Sequence, residues 1–141
     1  MSEAAKAAEQ YSDAEIGESV RKIVAESLGR KLDDVKVDSI LMADLGAESL
    51  DFLDIVFRLE REFGIEITRG EMERASRGDM TADEFAPAGV ISEAGLARLR
   101  ELMPEAADRI QPGLRPSTIL TLFSVQTFAN MVIGKRDGRS V

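Results

Sequence analysis

The run from Asp44 to Phe63 limits the fold more than any other part of the chain. Leu50, Leu53, Val56, Phe57, Leu59 and Phe63 recur at three- and four-residue spacing, which makes an apolar stripe on a helix. The spacing predicts a helix over residues 49–63. Phe52, Ile55, Val56, Leu59 and Phe63 point to a core, while Leu50, Leu53 and Phe57 fall along a flank with room for partial exposure. Gly46 allows a sharp turn just ahead of this helix. Ser49 stands at its head, where a hydroxyl can accept a bond from a free backbone N–H and cap the helix. The same place suits a phosphate, because free N–H groups and the helix dipole both favour negative charge there. Position alone favours the cap.

The remaining segments sort around this helix. Ser12 and Glu15 fit a capping box, and Ile16, Val20, Ile23, Val24 and Leu28 share one face, so a helix is expected over 13–28 with Gly29 ending it. Residues 30–47 form a long connection without helical period. Its Leu32, Val35, Val37, Ile40, Leu41 and Leu45 are expected to pin it across a bundle. Residues 69–77 suggest a short helix, and residues 78–90, with Gly78, Pro87 and Gly89, read as loop. Leu96, Leu99, Leu102 and Met103 make residues 92–103 amphipathic, and Pro104 stops that helix or starts a new turn. Pro112, Gly113 and Pro116 mark another loop. Ile119, Leu122 and Phe123 return to the core, and Val125, Phe128, Ala129 and Val132 give a last helix. Residues 134–141 read as a frayed basic tail, and residues 1–11 as a flexible or weakly helical start.

Composition removes several classes of chemistry. The 141 residues include no cysteine and no histidine. Thiol nucleophiles, disulfides and the commonest transition-metal ligands are therefore absent. So is the usual base of a serine hydrolase, which leaves Ser49 as a site for another enzyme to modify rather than a catalytic residue. Asp33, Asp34, Asp38 and Asp44 do not have calcium-loop spacing and read as solvated acids. With 26 acidic against 18 basic residues the net charge is −8. That disfavours nucleic acid and suits basic protein partners. No secretory pattern opens the chain and no apolar run has membrane-spanning length. A cytoplasmic protein without stable membrane insertion is expected.

The string Asp44-Leu45-Gly46-Ala47-Glu48-Ser49-Leu50-Asp51-Phe52-Leu53-Asp54-Ile55-Val56-Phe57, continuing to Glu62-Phe63-Gly64-Ile65, resembles the second helix of the acyl carrier protein family. The resemblance spans about two dozen residues, far more than a three-letter motif fixes. It departs at Glu48, where the family usually has aspartate, and at Arg61, where carriers of general fatty-acid synthesis are usually acidic. The first departure implies a changed transferase preference and the second a changed set of partners. The resemblance implies an all-α fold: a four-helix bundle with a long ordered loop between its first two helices. A single carrier domain over residues 12–135 follows, with a helix-containing insertion over 69–116 and a flexible tail over 136–141.

It further implies 4′-phosphopantetheine on Ser49, attached by a phosphopantetheinyl transferase from coenzyme A with magnesium. Glu48, Asp51 and Asp54 would meet basic patches on loading, synthase or acyltransferase enzymes, and Leu50, Leu53 and Phe57 would add apolar contact. The expected protein is a monomeric carrier of fatty-acid or specialised lipid or polyketide synthesis, not an enzyme, and it has no metal site of its own. The insertion either widens an acyl-binding cleft, adds a docking surface, or decorates the fold. A peptidyl or aminoacyl carrier and a helical adaptor without an arm are the competing readings.

Overall fold

A computed structural model describes residues 10–138, and the expected flexible start falls mostly outside them, as do residues 139–141 of the tail. Helix α1 (Asp13–Leu28) opens on the expected capping box: the Ser12 hydroxyl accepts from the Glu15 N–H at 3.1 Å, and the Glu15 carboxylate accepts from the Ser12 N–H at 2.8 Å. The face carrying Ile16, Val20, Ile23 and Val24 is buried. After Gly29 the connection holds a 3-10 turn (Leu32–Asp34) and a short helix α2 (Leu41–Leu45).

The connection, expected to be ordered but without helical period, thus contains two short helical pieces. The reason is local: the Asp44 carboxylate accepts from the Ile40 N–H at 2.8 Å, which closes one turn that is too short to show a period. Arg21 donates to the carbonyl oxygens of Leu32 and Val35, so a helix side chain holds the connection from beneath. Leu41 and Leu45 are buried, but Val37 is 43% exposed and contributes its carbonyl instead, accepting from the Gln126 N–H at 2.8 Å.

Helix α3 (Ser49–Phe63) has the expected ends, and Phe52, Ile55, Val56, Leu59 and Phe63 are all buried. Helix α4 (Arg69–Arg77) follows a second capping box at Thr68. Residues 78–90 are not all loop. Thr81 caps a one-turn helix α5 (Ala82–Phe85), which buries Phe85. Helix α6 (Glu93–Leu102) buries Leu96 and Leu99, and Pro104 begins a 3-10 segment (Pro104–Arg109) rather than merely stopping the helix. A further 3-10 segment (Pro116–Leu122) returns Ile119 and Leu122 to the core. Helix α7 (Val125–Arg136) takes in the first three residues of the 134–141 stretch that was expected to fray. Arg136 explains the extension: it pairs with Asp13 at 2.6 Å and donates to the Tyr11 carbonyl at 3.0 Å.

The all-α arrangement expected from the sequence is therefore what the chain adopts, with extra helices. Helix α1 packs against both α3 and α7, and α4 packs against α6. Phe52, Phe123 and Phe128 meet in the middle, with ring centroids 5.6–6.3 Å apart. An isolated antiparallel bridge between Ile40 and Ser124 joins the long connection to the start of α7. Burying a large aliphatic or aromatic side chain contributes about 1.5–3 kcal/mol, so the helices hold each other rather than standing alone. In the segment between α4 and α7, backbone and side-chain bonds replace helix length: Arg100 donates twice to the Ile110 carbonyl, at 3.1 and 2.7 Å, and Ile91 N–H donates to Leu114 at 2.8 Å.

Candidate functional site

The start of α3 is fixed from both sides. Gly46 ends α2 in the left-handed region, at φ 72°, and lets Ala47 N–H reach the Leu41 carbonyl at 2.9 Å. A side chain with a Cβ is strained in that conformation, which is why glycine stands there. Arg30 donates to the Leu45 carbonyl at 3.0 Å, and Ala47 is buried. The turn between α2 and α3 is thus a tied platform, and Ser49 is delivered two residues beyond it.

Ser49 is not the cap that its position suggested. Glu48 occupies the cap position, and its N–H donates to the Asp51 carboxylate at 2.7 Å. Asp51 also sits in the first turn, where the helix dipole favours its charge. Ser49 becomes the first helical residue. It is exposed, and its hydroxyl makes no hydrogen bond among the described residues. The other serines at helix starts behave differently: those of Ser12, Ser92 and Ser124 each accept from the N–H three residues on. A primary hydroxyl that is accessible, unbonded and set on a helix N-terminus is what attachment of a phosphate ester needs.

The residues expected beside it are brought together on one surface. Leu50 is 77% exposed, Leu53 58% and Phe57 61%, well beyond partial exposure. With Val37 they are the large hydrophobic side chains left open to solvent among the described residues. They share a helix whose opposite face is buried, so their exposure is not a failure of packing.

The acids divide. Glu48 is exposed, while Asp51 is half-buried and engaged with the Glu48 N–H. Asp54 is tied down more firmly. Its carboxylate accepts from the Ser27 hydroxyl at 2.6 Å and from Arg58 at 2.8 Å, and these bonds hold it below the usual carboxylate range. Arg58 neutralises this acid and reaches toward Glu26 at 3.8 Å. The negative field beside Ser49 is therefore narrower than the count of acids suggests.

At the far end of α3, Tyr11 stacks edge-on against Phe63, with centroids 4.8 Å apart, and donates to Glu62 at 2.6 Å. Burial pushes its phenol up to about 12, helped by the bond to Glu62 and the charges of Glu62 and Glu15. The sequence reading placed Tyr11 in a flexible start, since a lone aromatic between alanines and a cap carries no periodic signal. Among the described residues there is no group of three metal-ligating side chains, and no helix is long and apolar enough to cross a membrane.

Comparison with known proteins identifies the family. Residues 18–82 match the family model described as a phosphopantetheine attachment site. The acyl carrier protein of Campylobacter hominis is 48% identical over 60 residues, which are 43% of this chain and 76% of that relative. No solved structure matches. The chain belongs to the acyl carrier protein family. It is a carrier rather than an enzyme, of a family that carries 4′-phosphopantetheine and works with phosphopantetheinyl transferases and synthase enzymes. The matched residues run from within α1 to the first residue of α5.

Proposed function

We propose that this chain holds acyl groups as thioesters on a 4′-phosphopantetheine arm esterified to Ser49. One observation supports the position above all: Ser49 has been relieved of capping by Glu48 and Asp51, and its hydroxyl is exposed and unbonded. The arm supplies the thiol that a chain without cysteine lacks. Attachment forms a bond from Ser49 Oγ to the phosphorus of the pantetheine arm of coenzyme A. It breaks that phosphorus's anhydride bond, releases adenosine 3′,5′-bisphosphate, and passes the serine proton to a base of the transferase. The protein's own part is to hold the hydroxyl still, on the tied turn at Gly46, and to keep water-exposed apolar contact beside it.

Leu50, Leu53 and Phe57 form the partner-facing patch, with Glu48 as its freest charge and Asp51 and Asp54 behind it. Exposed charges of this kind raise association rates more than they deepen affinity. That suits a carrier, which must leave each enzyme as readily as it arrives. The cargo serves fatty-acid or specialised lipid or polyketide synthesis in the cytoplasm, and the protein works as a monomer. The test is the intact mass after incubation with coenzyme A, magnesium and a broad-specificity phosphopantetheinyl transferase. One phosphopantetheine is gained, fragmentation places it on Ser49, and the Ser49→Ala protein gains none. A modified S49A protein, or a wild type that stays apo, refutes the assignment.

A further inference from the structure

Between α4, α6 and α7 lies a cavity of about 630 Å³. Leu102, Met103, Phe123, Met131 and Ile133 give it apolar walls, and Arg74 and Arg98 line it together with Asp79. A smaller cavity of about 440 Å³, lined by Arg77, Met80 and Glu84, shares Gly78, Asp79 and Arg98 with the first. Arg98 therefore stands between the two.

Its setting is unusual for a guanidinium. Arg98 Nε is buried and has no hydrogen-bond partner among the described residues. A buried donor left without an acceptor costs about 1–3 kcal/mol, more when charged, so such a group is rarely left open without use. Gly78 makes the arrangement possible. It sits at φ 60° and ψ −130°, and a Cβ there would stand 2.7 Å from Arg98 Nε and 2.9 Å from its central carbon. Glycine thus lets the guanidinium lie flat on the backbone between the cavities. Asp79 lines both cavities but makes no ion pair with Arg98. The larger cavity keeps a positive excess in a chain whose net charge is −8.

We propose that this cavity receives the far end of an acyl chain that terminates in a carboxylate, with Arg98 Nε–H as the donor that the carboxylate fills. The apolar walls take the methylene chain and Arg74 adds a second positive charge at the polar end. Phe123 lines the cavity, and its ring lies 6.3 Å from that of Phe52. Phe52 follows Ser49 by three residues, about 4.5 Å along the helix axis. The cavity wall at Phe123 thus packs against the helix that carries Ser49. A neutral chain of the same length would fill the apolar part and leave Arg98 unsatisfied. The inference rests on Ser49 bearing the arm, and it adds the class of cargo.

The test uses apo protein loaded by a phosphopantetheinyl transferase from two coenzyme A thioesters, octanoyl and octanedioyl, with each product verified by mass. Cleavage of the thioester by hydroxylamine is then followed. In the wild type the octanedioyl form is cleaved about tenfold more slowly, the size expected of one charge-assisted hydrogen bond. The Arg98 Nε–H resonance moves on loading with octanedioyl and stays in place with octanoyl. Arg98→Gln removes the difference in cleavage. Arg98→Lys, which keeps the charge but lacks the Nε–H, restores only part of it. The wild-type comparison of two cargoes does not depend on how either variant folds. Equal cleavage with an unmoved Arg98 resonance overturns the proposal. So does inorganic phosphate moving that resonance in apo protein while octanedioyl does not, since the site would then belong to a free anion. Failure of both thioesters to add mass is a different result: it removes the carrier assignment itself.

Discussion

Ser49 and Ser92 look alike on the sequence, each a serine at the head of an amphipathic helix, yet the structure uses them in opposite ways. The Ser92 hydroxyl accepts from the Gly95 N–H at 3.1 Å and donates to the Glu84 carbonyl at 2.8 Å, so it is fully employed in joining α5 to α6. The Ser49 hydroxyl has neither bond, because Glu48 and Asp51 close the start of α3 without it. Their helices differ in the same sense. Helix α6 buries Leu96 and Leu99, whereas α3 leaves Leu50, Leu53 and Phe57 in water. One helix start is built to hold the fold together and the other to be visited. What separates them is whether the hydroxyl has been freed by its neighbours.

The largest effect that can break this comparison is all-or-none. Ser49→Ala abolishes phosphopantetheine attachment, read by intact mass, while chemical denaturation shows a change within about 0.5 kcal/mol, as for a surface position without structural bonds. Ser92→Ala keeps full attachment. If S49A proved as destabilising as a lost cap, the hydroxyl would be structural after all. Next in size are the leucines. Leu99 is fully buried, and Leu99→Ala costs about 2–5 kcal/mol by loss of burial and creation of a cavity. Leu53→Ala changes stability by less than about 0.5 kcal/mol but slows modification by the transferase, seen in the rate of mass gain. Equal stability losses at the two sites would mean that the α3 flank is covered in the folded protein.

The parts that could be read from the sequence are those with repetition or caps. Helices α1 and α3 and their buried faces were legible because their apolar residues keep one period over several turns and glycine ends each of them. Ser49 was legible as a site only through the longer string around it; by itself it looked like a cap. Helices α2 and α5 were not, since four or five residues cannot display a period and each is closed by local carboxylate or hydroxyl bonds. The pairing of Asp54 with Ser27 joins residues on two helices, and no local pattern announces it. Arg98 carried no signal of its own on the sequence. The burial of its Nε depends on Gly78, which on the sequence was only a sign of a loop.

Caps supply the next, smaller difference. Ser92→Ala and Ser124→Ala each cost about 0.5–2 kcal/mol, the usual range for removing a capping hydroxyl. Ser124 should fall at the upper end, because it is fully buried and its hydroxyl also donates to Glu105, linking the 3-10 segment to α7. Glu105→Gln keeps the shape of that side chain and removes its charge, so the melting temperature falls less than for S124A if the link is an ordinary hydrogen bond. A fall as large as that of S124A would show that the carboxylate's charge carries it.

The smallest effect comes from the closed end of α3. Tyr11 is the single tyrosine and the chain has no tryptophan, so ultraviolet absorbance reports its ionisation without interference. Its phenol is raised from 10.0 to about 12 by burial and by the bond to Glu62. A folded-state value above the unfolded one means that the neutral form is favoured by the fold. The stabilisation is whole below pH 10 and is lost as the pH rises through about 12. Absorbance should therefore rise with a midpoint near pH 12 in native protein and near pH 10 in denaturant. Glu62→Gln removes one negative charge beside the phenol and moves the native midpoint down, by less than the whole shift, because burial against Phe63 persists. A native midpoint already at 10 would mean that Tyr11 is not packed there. The end of α3 remote from Ser49 would then be as open as the end that carries it.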